Sequence, residues 1–293
     1  MVYNVFDIMK QYKFTICFIA AAILLIGCSK ESISVKESNQ MIFSFSYPNA
    51  SKVTDTGFEQ NDKVGIYITK SDAILESAGN YVTNNMLTYN GQDWNALYAM
   101  YWNAGTYNMY AYYPYINNIA SVTDMPFSIS LRQDVLQNYM ESDFLWASKK
   151  NVSAGNTAVS MQFAHKMSRI VIKLVASDDY EGTIPQDAKL FVHNIIPDAT
   201  VDLNVGIVTV NGRASSNTLQ ARNLGNNMYT AIVVPQRIST RVPFIELIMD
   251  GVSYLYESSF LFKQGVQHNV TLVVSKNPNQ IKIEIGGEIE GWA

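Results

Sequence analysis

Histidine, carboxylate, hydroxyl and aromatic side chains are where this chain could carry chemistry. Three histidines are candidates for acid–base or metal work: His165, His193 and His268. None has a second His or a Cys at ligand spacing, and no H-E-x-x-H occurs, so they read as structural or surface residues. A serine nucleophile would want a Gly-x-Ser-x-Gly elbow, which is missing. Gly286-Gly287 leads into acidic residues rather than a helix N-terminus, so it is no phosphate cradle. Asp178, Asp179 and Glu181 form a small acidic turn without the ligand spacing of a calcium loop, and they read as solvated. No catalytic residue, metal ligand or cofactor is therefore assigned, and no enzyme is expected.

The densest candidate surface is aromatic. Trp94, Tyr98, Tyr101, Trp102, Tyr107, Tyr110, Tyr112, Tyr113 and Tyr115 follow one another closely, and Trp94 and Trp102 are the candidates for outward contact. Such rings could stack on sugars, which makes a glycan-binding surface protein the alternative function. Core filling and cross-strand pairing are the stronger expectation, because aromatics suit the pleated surface of strands.

The elements that must position these residues are strands. Met41, Phe43 and Phe45 alternate with Ile42, Ser44 and Ser46, and Val64, Ile66 and Ile68 alternate with Gly65, Tyr67 and Thr69. Asn90-Gly91 and Asp250-Gly251 sit between such segments and predict tight hairpins, since both dipeptides tolerate positive φ. Period-two segments recur to Ile281–Ile285, and the nearest helical candidate is Asp72–Ala78. The reading is all-β, as two tandem β-sandwich domains. The boundary is placed in the polar stretch 149–156, giving domains 41–155 and 156–293.

At the other end, Leu25-Ile26-Gly27-Cys28 closes an apolar run from Phe14 to Ile26, with Lys10 and Lys13 before it. A run of thirteen residues falls short of the roughly 20 that cross a bilayer as a helix, so 1–27 reads as an export signal. Met9 opens a more ordinary signal than Met1 and is the expected start. The segment resembles the lipobox of bacterial lipoproteins, which implies cleavage between Gly27 and Cys28 and a membrane anchor through lipid on Cys28. Two or three acyl chains, at about 0.8 kcal/mol per buried methylene, hold a soluble domain firmly. Residues 28–40 are polar and read as a tether. The only other cysteine, Cys17, lies within the signal, so the mature chain can form no internal disulfide and must rely on burial. Formal charge is −4 with no basic run, which argues against a nucleic-acid partner.

Tyr101-Trp102-Asn103-Ala104-Gly105-Thr106-Tyr107, continuing to Ala111-Tyr112-Tyr113-Pro114-Tyr115, resembles a signature of the fimbrillin family, the type V pilus subunits of Bacteroidales. Phe163-Ala164-His165-Lys166-Met167-Ser168-Arg169-Ile170 and the stretch from Phe262 and Gly265 to Trp292 agree with it. The resemblance implies two transthyretin-like sandwiches, outer-membrane and cell-surface location, and binding to other fimbrial subunits by strand exchange. The strand exposed to removal would be Met41–Ser46, and donor candidates lie between Asn269 and Trp292. Stalk subunits of the family resemble substrates of an arginine-specific protease, yet the first Arg here is Arg132. One residue follows Trp292, which leaves little length for a donor tail. The expectation is an anchor, tip or accessory subunit, or one matured by a different protease.

Overall fold

Val64-Gly65-Ile66-Tyr67-Ile68-Thr69 alternates as expected of a strand, yet both of its faces are buried. Val64, Ile66 and Ile68 enter one hydrophobic core while Tyr67 enters another. That arrangement organises the molecule. A computed structural model describes residues 39–47, 57–239, 242–278 and 282–290. The signal segment, Gly27, Cys28, Trp292 and most of the tether lie outside these residues.

The strands are β1 (Phe43–Ser46), β2 (Lys63–Lys70), β3 (Val82–Tyr89), β4 (Trp94–Ala96), β5 (Thr106–Tyr113) and β6 (Met125–Ser128), followed by a short helix, α1 (Leu136–Glu141). Next come β7 (Leu145–Ser153), β8 (Val159–Gln162), β9 (Ala164–His165), β10 (Ser168–Ala176), β11 (Lys189–Ile195), β12 (Asp198–Asp202), β13 (Ile207–Val210) and β14 (Asn217–Gln220). The chain continues with β15 (Arg222–Gly225), β16 (Met228–Val233), β17 (Arg237–Ile238), β18 (Pro243–Met249), β19 (Val252–Glu257), β20 (Phe260–Leu261), β21 (Val266–Val274) and β22 (Lys282–Glu290).

The fold is nearly all β and sandwich-like. A six-stranded sheet runs β4-β3-β2-β5-β7-β9. On one face Tyr107, Met109, Ala111, Leu145 and Ala147 join Val64, Ile66 and Ile68, and β1 and β8 cover them with Met41, Phe43, Phe45, Val159 and Met161. On the other face Tyr67, Tyr110 and Tyr112 join the larger core, built mainly by the second half of the chain. The second half contributes a five-stranded sheet, β15-β16-β10-β21-β22, and a four-stranded sheet, β14-β11-β18-β19. In the first of these β10 and β21 run parallel. A three-stranded sheet, β13-β12-β6, stands beside them. Although β6 precedes residue 149, it pairs with β12, Met125 opposite Val201 and Phe127 opposite Ala199.

Local chemistry explains the turns. Asp250 and Gly251 both have positive φ, 51° and 75°, and join Met249 to its partner Val252 in a two-residue hairpin. Asn90 is bound through its side-chain oxygen by the N–H groups of Gln92 and Asp93, an Asx turn that carries β3 into β4. The segment 72–78 is turn and bend rather than helix. Its apolar residues do not repeat over enough turns to hold a helix in water. Helix α1 arises where Val135-Leu136 meets no strand partner, and it buries only Tyr139.

Candidate functional site

Strand β1 is held differently from the other strands of its core. Upstream of it, the Met41 N–H donates to Met100 O at 2.8 Å, and the Trp102 N–H donates to Asn39 O at 2.7 Å. Within it, Phe43 to Ser46 pair in parallel with Val159 to Gln162 and with nothing else among the described residues. Four residues of ladder give few backbone bonds, so the strand is held largely by what it buries. Met41, Phe43 and Phe45 are all under a tenth exposed. Phe45 packs edge-on against Trp94 at 5.0 Å and Phe163 at 5.5 Å. Their removal would open an apolar trough along β8 and the six-stranded sheet. Strand β22, late in the chain, pairs among the described residues only with β21 and forms an edge of its sheet there. Its Glu288 and Ile289 are exposed. Of the expected donor stretch, β21 is locked between β10 and β22, so both of its edges are filled, whereas β22 has one edge unpaired among the described residues.

The aromatic run divides between inside and outside. Trp102 is 6% exposed and packs edge-on against Tyr107 at 5.5 Å. Its ring is spent in the core, because Trp102 follows the buried Met100 in the segment that binds residues 39–41. Trp94 is half-buried between Phe45, Phe58 and Tyr89. Tyr98 and Tyr101, 71% and 50% exposed, are the rings that face outward. Lys70 caps the same region: its ammonium lies 4.1 Å from the Tyr107 ring centre and donates to the Tyr107 hydroxyl at 2.9 Å.

The titratable residues are tied into structural pairs. His165 Nδ1 is 2.7 Å from Asp143 Oδ2. His193 lies between Thr218 Oγ1, at 2.9 Å, and Glu246 Oε2, at 3.0 Å, across adjacent strands. Buried His268 accepts from the Lys263 N–H, and burial pushes its pKa down, opposed by nearby Glu288. Asp179 of the acidic turn accepts from the hydroxyls of Ser177 and Ser275, which hold its carboxyl below the usual range. No group of three His, Cys, Asp or Glu side chains gathers as for a metal ion among the described residues, and no helix there is long and apolar enough to cross a membrane.

The described chain is thus nearly all β, with a first strand held by one short parallel ladder and a last strand with one unpaired edge among the described residues. A family model described as fimbrillin-like matches residues 51–292, and the chain belongs to that family. A Bacteroides ovatus protein provisionally named fimbrium tip subunit Fim1C is 27% identical over 195 residues, 57% of this chain. The match covers 36% of that relative, so this chain spans about a third of its length. Two crystal structures share the fold, both described provisionally as cell adhesion proteins. One, from Bacteroides ovatus, has a TM-score of 0.71 at 16% identity, over 87% of this chain and 98% of its own. The other, from Bacteroides uniformis, has a TM-score of 0.67 at 18% identity, with the same coverage.

Proposed function

We propose that this protein is a structural and adhesive subunit of a fimbria, exported, anchored at the outer membrane through lipid on Cys28, and joined to neighbouring subunits by strand exchange. The single observation that carries the reading is β1 and its approach: one parallel partner among the described residues, four paired residues, and the side chains of Met41, Phe43 and Phe45 seated in a core that this segment itself closes. A segment with the same alternation from another subunit could take its place, using the free backbone groups of β8. Strand β22, already at an edge, is the proposed donor. With no Arg before Arg132, the subunit is read as an anchor, tip or accessory component rather than a stalk unit. The polar stretch 149–156 is kept as the proposed boundary between two sandwiches.

The test is an envelope fraction run with and without heating. Assembly by strand exchange yields oligomer ladders that survive mild detergent and collapse on boiling. A strictly monomeric protein in the unheated lane argues against it. Fatty-acid labelling that marks the wild type and is lost in Cys28→Ser checks the anchor. A second reading, a glycan-binding lipoprotein, draws on the exposure of Tyr98 and Tyr101.

A further inference from the structure

Asn39 and Gln40, the last residues of the tether, bind the aromatic run at its exposed end. The Trp102 N–H donates to Asn39 O, Asn39 Nδ2 donates to Trp102 O at 3.3 Å, and Gln40 stands opposite Tyr101 in an antiparallel bridge. Alternation then sorts the side chains. Met41 and Phe43 enter the core with Met100 and Trp102, which leaves Gln40, Ile42 and Tyr101 outside. Ile42 is 54% exposed, and Leu97 and Tyr98 are exposed on the same loop as Tyr101. Hydrogen bonds fix the backbone that carries these rings: the Tyr81 hydroxyl donates to Tyr101 O at 2.6 Å, while buried Asn85 donates to Tyr98 O at 2.7 Å and accepts from the Tyr98 N–H at 3.2 Å. Little backbone freedom is left for a partner to remove.

Charge and chain length say what the patch meets. Residues 39–47 and 94–123 contain no Asp, Glu, Lys or Arg in a chain with 16% charged residues, so these segments bring no charge that would have to leave water. Lys70, beside them, keeps its ammonium on Ala104 O at 2.7 Å and on the Tyr107 hydroxyl. Exposed tyrosines with aliphatic neighbours suit the headgroup level of a bilayer, where the ring lies against apolar matter and the hydroxyl stays wet. Asn39 is eleven residues beyond Cys28, a reach of at most about 40 Å when fully extended. A lipid on Cys28 therefore holds the patch within that reach of the membrane. The second contact is then intramolecular, and a weak one suffices.

We propose that Ile42 and Tyr101, with Tyr98 on the same loop, seat the folded domain on the phospholipid headgroup interface, so that the anchored subunit lies against the membrane rather than standing off it. The proposal rests on the lipid on Cys28 argued above.

The experiment uses the acylated full-length protein in phosphatidylcholine vesicles. Cys28 carries the lipid and Cys17 belongs to the signal, so Ile42→Cys, Tyr101→Cys and, at an exposed position in another sheet, Leu255→Cys can each take a single fluorophore. Spin-labelled phosphatidylcholine is expected to quench the first two several times more strongly than the third, at low and high salt alike, since no ion pair holds the contact. Tyr101→Asp, added to Ile42→Cys, abolishes the excess quenching while circular dichroism is unchanged. Protein retained in the vesicles with equal quenching at all three positions overturns the proposal and leaves the anchor standing, as does full quenching in folded Tyr101→Asp. Loss of the protein from the vesicle fraction overturns both. Shielding of the labels that requires an added glycan, or that disappears when the protein is diluted within the vesicles, assigns the patch to a sugar or to a second copy and overturns the proposal.

Discussion

Gly65 lies directly beneath the ring of Tyr112, its partner in the β2–β5 ladder: a Cβ at residue 65 would fall 2.2 Å from Tyr112 Cε1 and 2.6 Å from the hydroxyl. The ring cannot swing away, because its hydroxyl donates to Asn84 Oδ1 at 2.6 Å and is contacted by the Ile116 backbone. Gly65→Ala should therefore destabilise by about 1–3 kcal/mol, the usual cost of forcing an extra carbon into a packed core. Gly155→Ala, where nothing stands within 4 Å, is the control and should change little. Urea midpoints of the two variants check the contrast.

Buried and half-buried glutamines stand in for missing β partners. Gln133, fully buried, accepts from the Ile232 N–H at 2.8 Å and donates to Ile232 O at 2.7 Å, as an adjacent strand would. Gln236 does the same to Ile196, and Gln264 bridges Gly206 O and the Val208 N–H. Gln133→Ala would strand both backbone groups of Ile232, at about 1–3 kcal/mol for each polar group left buried. A loss of thermal stability with unchanged far-ultraviolet dichroism is the expected result. Gln92→Ala, in an exposed turn, should leave stability unaltered.

These residues also mark where the sequence stops being legible. Period-two alternation marked Met41–Ser46 and Val64–Thr69, where β1 and β2 lie, because in each the alternate apolar side chains enter one core. The Asp250-Gly251 turn was legible for a local reason, positive φ at two successive positions. Gln133, Gln236 and Gln264 gave no signal, since their partners lie tens of residues away and a glutamine in a loop looks solvated. The short β14, β15, β17 and β20 and the helix α1 were missed because each is too brief to show a period. Of the candidate contact residues, Trp102 is buried, on the core-filling side of the two readings the aromatic run allowed; alternation tells that faces differ and not which one meets solvent. The outward rings, Tyr98 and Tyr101, stand in the same run.

Stability should fall at alkaline pH. Burial holds the Tyr67 hydroxyl up to about 12 and raises Tyr112 and Tyr113 as well. Unfolded tyrosines ionise near pH 10. Above that pH the unfolded chain loses protons that the folded chain keeps, so νU is below νN and stability declines as pH rises; below about pH 10 these hydroxyls are protonated in both states and their contribution is full. The urea midpoint should fall steadily from pH 9 to pH 11. Tyr67→Phe should flatten part of that fall, and a midpoint insensitive to pH in both proteins would contradict the assignment.

Trp102 and its neighbours Tyr98 and Tyr101 should separate stability from surface contact. Trp102→Ala removes a ring that is 6% exposed and packed against Tyr107, and should cost about 3–5 kcal/mol. The indole N–H has no acceptor among the described residues. Trp102→Phe therefore discards no hydrogen bond and should retain most of the stability, losing chiefly the volume of the second ring. Tyr98→Ala and Tyr101→Ala remove exposed side chains and should each stay within about 0.5 kcal/mol of the wild type. Thermal melts of the four variants check the ranking. Glycan arrays on the two tyrosine variants then ask the functional question without a folding artefact: binding lost at wild-type stability favours the outward-ring surface as a glycan contact. Binding lost only in Trp102→Ala, in step with its melting temperature, assigns that loss to unfolding of the core.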